Sequence, residues 1–210
     1  MKKQDFKVLK TKDLYPFPDN TFHVAEDETL SELAESIKEF GIVTPIITRP
    51  KEDGDGYEVI AGQRSVRASE LAGINTVPAF VLTLDRDRAI ITLVDSNLQR
   101  ENILPSERAF AYKMKSEAMK RQGFRTDLTS SQVVTKLRTD DKVAQGFGVG
   151  RMTVQRFIRL TELIPPILQM VDEGKIALTP AVELSFLKKD EQENLFATME
   201  SEEATPSLSQ

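Results

Sequence analysis

The chain contains no cysteine, which removes disulfides, thiolate metal sites and a cysteine nucleophile at once. It holds a single histidine, His23, so a His-rich metal centre is excluded as well. No stretch of about 18 apolar residues occurs, and the opening residues, MKKQDFK, lack an apolar signal core. The expectation is a cytoplasmic protein with no membrane partner. Carboxylates and histidines do not cluster in the way a metal-dependent nuclease requires. What remains is ordinary for a soluble globular protein: 210 residues, 40% hydrophobic and 29% charged, enough for one large domain or two small ones.

Positive charge is also in deficit overall, with a net charge of −5, but it is unevenly spread. Residues 1–99 carry 12 Lys/Arg against 17 Asp/Glu, and residues 161–210 carry 3 against 10. Residues 100–160 reverse the balance, with 13 against 6. A polyanionic partner is therefore to be sought in the middle of the chain.

In chain order, residues 6–9 read as a strand, followed by a polar turn region containing Pro16 and Pro18. Leu30, Leu33, Ala34 and Ile37 have helical spacing, and Gly41 suits the residue just past the helix end. Residues 42–48 read as a strand, with Pro45 suggesting a sheet edge or an irregular entry. Residues 53–56 form a turn, 57–61 a strand that pairs back, and 77–84 a further strand. A helix over 86–98 presents Ile90, Ile91, Val94 and Leu98. The remainder is helical. One helix runs from Pro105 to about Arg121 and stops near Gly123. Four or five more are broken near 126–127, 146–150, Pro165–Pro166, Gly174 and Pro180. The fold class is α+β: a small N-terminal α/β domain over residues 1–100, a helical domain over 101–199, and a disordered tail over 200–210.

Two stretches carry chemistry. In AGQRSVRA, residues 61–68, a strand feeds a glycine and then a helix start. That arrangement presents free backbone N–H groups and the positive end of a helix dipole. Arg64 and Arg67, three apart, face the same way. The combination suits a phosphate; a solvated surface helix is the plain alternative. In residues 140–160, Ala144 supplies the small residue that a helix-turn-helix needs where its helices cross. Gly148 supplies the turn glycine. Val154 and Phe157 lock the second helix, supported by Val143, Phe147 and Val149. The face left over is Gly150, Arg151, Thr153, Gln155, Arg156 and Arg159, which suits phosphates and base edges of double-stranded DNA. An ordinary αα-hairpin obeys the same packing rules, and the basic charge of the segment favours DNA.

Read together, these stretches resemble the ParB/Spo0J/RepB family of partition proteins over about residues 6–190. Residues 41–50, GIVTPIITRP, look like its first nucleotide motif. Residues 62–68, GQRSVRA, look like its Gly-Glu-Arg-Arg box. Residues 95–109, DSNLQRENILPSERA, look like its third box. Residues 95–112 and 156–187 look closest to members carried on mobile elements of Gram-positive bacteria. The resemblance implies a CTP-dependent DNA clamp that binds CTP with Mg²⁺ in its N-terminal domain and loads on a palindromic, centromere-like site. It also implies a homodimer, a ParA-type ATPase partner and association with the nucleoid. Carried over by position, Thr44, Pro45 and Ile46 line the nucleotide. Gly62, Gln63, Arg64, Ser65 and Arg67 hold its phosphates, with Arg100 nearby, and Asn97 helps place the metal. A dimerising domain, usual at the family's C-terminal end, is not evident after residue 190.

The chain departs from the family pattern at three places: Gln63 and Ser96 stand where it has glutamates, and Ser65 where it has arginine. An amide hydrogen-bonds but supplies no charge. The expectation is therefore CTP binding with slow or absent hydrolysis. The alternative is a CTP-independent DNA-binding adaptor or transcriptional regulator with a decayed nucleotide site. Enzymes on a related N-domain fit less well: sulfiredoxins need a catalytic cysteine, and small-molecule kinases need no basic helix-turn-helix.

Overall fold

A computed structural model describes residues 5–22, 24, 26–98, 103–126 and 139–202. The chain divides into two compact units, Met1–Asn97 and Leu98–Gln210. His23, Arg100 and residues 203–210 lie outside the described residues; residues 200–202, expected to open a disordered tail, are helical.

The first unit contains strands β1 (Asp5–Lys10), β2 (Leu14–Pro16), β3 (Ile46–Pro50), β4 (Tyr57–Ala61) and β5 (Thr76–Val81). Its helices are α1 (Glu28–Phe40), α2 (Gln63–Leu71) and α3 (Arg86–Asn97). The sheet is mixed, in the order β1-β5-β3-β4-β2. β1 is antiparallel to β5, β5 parallel to β3, β3 antiparallel to β4, and β4 parallel to β2. Register puts Leu9 opposite Val77, Ile46 opposite Ala79, and Thr48 opposite both Val81 and Val59. Side chains alternate faces along a strand, so these residues share one face, and the apolar ones pack as a buried cluster. A second cluster joins α1 to α2 through Leu30, Ala34, Ile37 and Ala68. Asp27 caps α1 by accepting the Leu30 N–H at 2.9 Å. Gly41 ends it at φ 72°, returning its N–H to the Ile37 carbonyl.

One expectation is resolved here and one needs correction. Pro45 marks the irregular entry to a strand rather than a sheet edge. It stands just before β3, which is the central strand, so its missing N–H is not required by a ladder bond. Residues 14–16, read as turn, form β2, whose backbone is paired with β4.

The second unit contains α4 (Pro105–Thr126), α5 (Thr139–Gly146), α6 (Arg151–Leu160), α7 (Pro165–Asp172), α8 (Leu178–Leu184) and α9 (Lys189–Glu202). α4 runs past Gly123 rather than stopping there. Pro165 and Pro166 begin a helix rather than only breaking one, because the first-turn N–H groups have no partner inside the helix. Pro180 likewise sits in the first turn of α8. The larger core cluster holds Ala109, Leu160, Leu163, Ile164 and Ile167. The start of α4 is held by Asp172, which accepts from the Ser106 N–H at 2.8 Å and the Ser106 hydroxyl at 2.5 Å.

Gln192 of α9 is buried, with 1% of its surface exposed. Its Oε1 accepts the Ile164 N–H at 2.8 Å, and its Nε2 donates to the carbonyls of Leu187 and Glu162 at 3.0 and 3.3 Å. Gln192→Leu leaves the Ile164 N–H and the Leu187 carbonyl without this partner, while the Glu162 carbonyl keeps Lys189 Nζ at 2.7 Å, so it is expected to destabilise this unit by about 2–3 kcal/mol. The midpoint of urea unfolding checks this, and an unchanged midpoint would contradict the role given to the amide.

Candidate functional site

The first candidate site is where β4 turns into α2. Gly62 is the N-cap, at φ 97°, and no side chain caps the helix. A Cβ at this position would lie 2.6 Å from Ile46 Cγ2 and 3.0 Å from Ile46 Cβ. Only glycine meets both demands, a left-handed backbone and direct approach to Ile46. The first N–H to return inside the helix is that of Val66, to the Gly62 carbonyl at 3.0 Å. The N–H groups of Gln63, Arg64 and Ser65 therefore have no partner within α2, the arrangement that suits an anion. The Gly62–Ile46 contact brings the first two sequence boxes together. Thr44 is exposed, Pro45 half-buried and Ile46 buried. Beside this turn lies a cleft of about 280 Å³. Leu14, Pro16, Val59 and Val66 form its apolar wall, and Gln63 and Arg67 stand among its polar groups.

Both arginines are engaged. One Arg64 N–H group donates to Asp27 Oδ1 at 3.1 Å and to the Thr29 hydroxyl at 2.6 Å. Arg67 donates to Glu26 through Nε at 3.0 Å and to Glu70 at 3.1 Å. Hydrogen bonding from Arg64 holds the Asp27 carboxyl down at about 2. A depressed carboxyl adds stability above its ordinary pKa and loses it as pH falls toward the folded value. This pair is thus intact across the neutral range and weakens from about pH 4 toward pH 2. Glu26, Asp27 and Thr29 were not among the residues singled out from sequence. The signal that marks one of them is the N-cap position of Asp27 just ahead of the α1 apolar pattern.

Gln63 turns back onto the strand it follows, donating to the carbonyls of Val59 and Ile60 at 3.1 and 3.3 Å. A glutamate in this rotamer would set a carboxylate against two carbonyl oxygens. Asn97 is buried, at 2% exposure, and donates its amide to the Leu93 carbonyl at 2.8 Å. Ser96 donates its hydroxyl to the same carbonyl at 2.9 Å. Among the described residues, no group of three or more His, Cys, Asp or Glu side chains is placed to hold a metal. This excludes an all-protein cage among those residues, whereas Mg²⁺ carried by substrate phosphates takes only one or two protein oxygens, of which the Asn97 amide oxygen would be one.

The second candidate site is the α5–α6 pair. Ala144 and Val154 are buried with Val143 and Tyr112, and Phe147, Val149 and Phe157 pack against them. Gly148 takes the turn at φ 64°. This is the packing expected of a helix-turn-helix. The leftover face divides in two. Arg156 donates to the Thr179 hydroxyl of α8. Arg159 donates to the Ser185 hydroxyl at 3.1 Å and to the Ser185 carbonyl, and lies 4.1 Å over the Phe186 ring. Gln155 donates to Asp140 at 3.2 Å. These three side chains are tied to neighbouring helices. Gly150, Arg151 and Thr153 lie at the N-terminal end of α6, next to Met152, which is 65% exposed. Among the described residues, Arg151 Nε is buried without a hydrogen-bond partner. No described helix is long and apolar enough to cross a membrane.

Comparison with known proteins agrees with this division. Residues 1–98 match the ParB N-terminal domain, and residues 129–205 match the ParB HTH domain. The chain is 38% identical over 175 residues to a probable chromosome 1-partitioning protein ParB of Deinococcus radiodurans, covering 83% of this chain and 53% of that protein. It is 33% identical over 190 residues to a nucleoid occlusion protein of Halalkalibacterium halodurans, covering 90% and 60%. The chain thus spans little more than half the length of these relatives. A C-terminally truncated ParB of Caulobacter crescentus, solved with the centromeric parS site, shares the fold. Its TM-score is 0.58 at 24% identity, over 95% of this chain and 94% of that one. Two ParB domains in the family's order, joined to relatives that carry its name, show that the chain belongs to the ParB family.

Proposed function

We propose that the chain is a DNA-binding partition protein whose N-terminal unit binds CTP and whose helix-turn-helix loads on a palindromic duplex, forming a CTP-dependent clamp as a homodimer. The observation that carries the nucleotide half is the uncapped start of α2, opened by Gly62 against Ile46. The N–H groups of residues 63–65, with Arg64 and Arg67, are the groups that would hold the phosphates. Residues 44–46 border the same turn. The reading rests on phosphate contacts, with Mg²⁺ carried mainly by the phosphates and Asn97 the residue that would help place it; with Gln63 bonded to carbonyls and Ser96 to Leu93, turnover is slow or absent. A ParA-type ATPase as partner, and residence on the nucleoid, belong to the same proposal, which the family likeness supports.

For DNA, the open N-terminal turn of α6 enters the major groove. Arg156 and Arg159, braced by α8, fix how α6 is presented. Binding to duplex DNA, followed by fluorescence anisotropy over a range of salt concentrations, tests this. Affinity is expected to fall steeply with salt as counterions are released. Arg151→Ala is expected to lower the slope by about one if it meets a phosphate, or to cost about 1–3 kcal/mol of sequence discrimination if it meets a base. Unchanged slope and unchanged discrimination would remove the start of α6 from the interface.

The adaptor reading retains one specific support: the two α2 arginines are already paired with carboxylates. It predicts DNA affinity that is indifferent to CTP.

A further inference from the structure

Three carboxylates, Glu26, Asp27 and Glu70, face the two guanidinium groups of α2. The local balance is therefore one negative charge in excess, at the place where a triphosphate is to bind. We propose that Glu26 and Asp27 form an anionic latch over Arg64 and Arg67, which a polyphosphate must displace in order to reach the start of α2. This deepens the CTP reading and rests on it.

The latch is built to open. All four side chains are partly exposed, Arg64 by 26% and Asp27 by 44%, Arg67 by 42% and Glu26 by 67%. Ion pairs of this exposure are weak, so a ligand of higher charge can replace the carboxylates. Opening does not unfold α1, because Asp27 has a second role as its N-cap, bonded to the Leu30 N–H. Thr29 completes the arrangement, donating its hydroxyl to Asp27 at 2.7 Å while accepting from Arg64. The latch also discriminates by charge. A monophosphate carries no more charge than the two carboxylates it replaces, whereas a triphosphate brings enough to compete at both arginines. Sequence alone hides the device, since its two halves lie 37 and 41 residues apart.

Calorimetric titration with CTP tests it on four proteins: the unaltered chain, Asp27→Asn, Glu26→Gln and the double variant. Asparagine keeps a capping oxygen for Leu30 while removing the charge, and Glu26→Gln leaves the cap untouched. Each single change is expected to tighten CTP binding about two- to fivefold, and the double change more, the range set by the worth of an exposed ion pair. CMP, where it displaces the same ion pairs, should gain by about the same factor as CTP, because the opening cost removed is common to both. If the unaltered chain binds CTP and the Asp27 and Glu26 variants bind it equally or more weakly, the latch is wrong while the nucleotide reading stands. If only the double variant binds, the latch is supported in its strongest form. If none of the four binds, both ideas fall.

Discussion

Replacing Gly62 with alanine is expected to destabilise the N-terminal unit by about 2–6 kcal/mol and to abolish CTP binding. Two costs add. Alanine at φ 97° is strained whatever the space around it, about 1–3 kcal/mol. The new methyl would also stand 2.6 Å from Ile46 Cγ2, and relieving that overlap costs a further 1–3 kcal/mol, roughly. Gly73→Ala separates the two. Gly73 has φ 73°, but a Cβ there would meet nothing within 4 Å, so only the backbone cost applies, about 1–2 kcal/mol. Relief of the clash pushes β3 and the start of α2 apart, so residues 44–46 no longer border the open N–H groups. Thermal unfolding and CTP titration of both variants check this. Equal destabilisation by the two alanines would show that the approach to Ile46 is not tight.

Arg49→Ala is expected to cost about 3–5 kcal/mol, the range for stranding one member of a buried ion pair. Arg49 and Glu58 face each other across β3 and β4. Nε and Oε2 lie 2.6 Å apart, with the side chains 4% and 8% exposed. Arg49 also donates to Glu52 at 2.8 Å and to the Leu84 carbonyl at 3.4 Å, and its guanidinium lies 5.1 Å from the centre of the Phe17 ring. The loss therefore reaches β2, the 51–56 turn and the entry to α3 together. Adding Glu58→Gln to Arg49→Ala removes the stranded charge and should recover a large part of the stability. A double variant no more stable than Arg49→Ala would mean that packing of the long side chain, rather than charge, sets the cost.

Much of this architecture is written in local pattern. The α1 and α3 helices follow from apolar spacing, Gly41 marks the end of α1, and the Ala144, Gly148 and Val154 positions disclose the helix-turn-helix. The start of α2 was legible because a strand, a glycine and two arginines adjoin within eight residues. Less local features were not. β2 is three residues long and has no alternation of its own; its pairing with Tyr57, Glu58 and Val59 makes it a strand. The central place of β3 depends on β5, some thirty residues later, while Pro45 left an edge and an irregular entry both open. Gly123 proved compatible with a long helix because α4 is held elsewhere, at Ser106 and through Tyr112. The occupied state of the arginines was invisible for the same reason. Arg64 finds Asp27 through the packing of α1 on α2, and Arg159 finds Ser185 only once α8 folds back onto α6. Elimination of the apolar residues identified which side chains leave the core of α6, but not which of them another helix then holds.

The central claim is that the turn at Gly62 is a CTP site in a chain that also binds DNA. Its most direct test is calorimetric titration of the unaltered chain with CTP, ATP, GTP and UTP in turn, each repeated with duplex DNA in the cell. The account predicts saturable binding of CTP in preference to the other three, lost in Arg64→Ala and changed in affinity when DNA is present. Absence of heat with all four nucleotides, or equal binding of all four that survives the loss of Arg64, would contradict it.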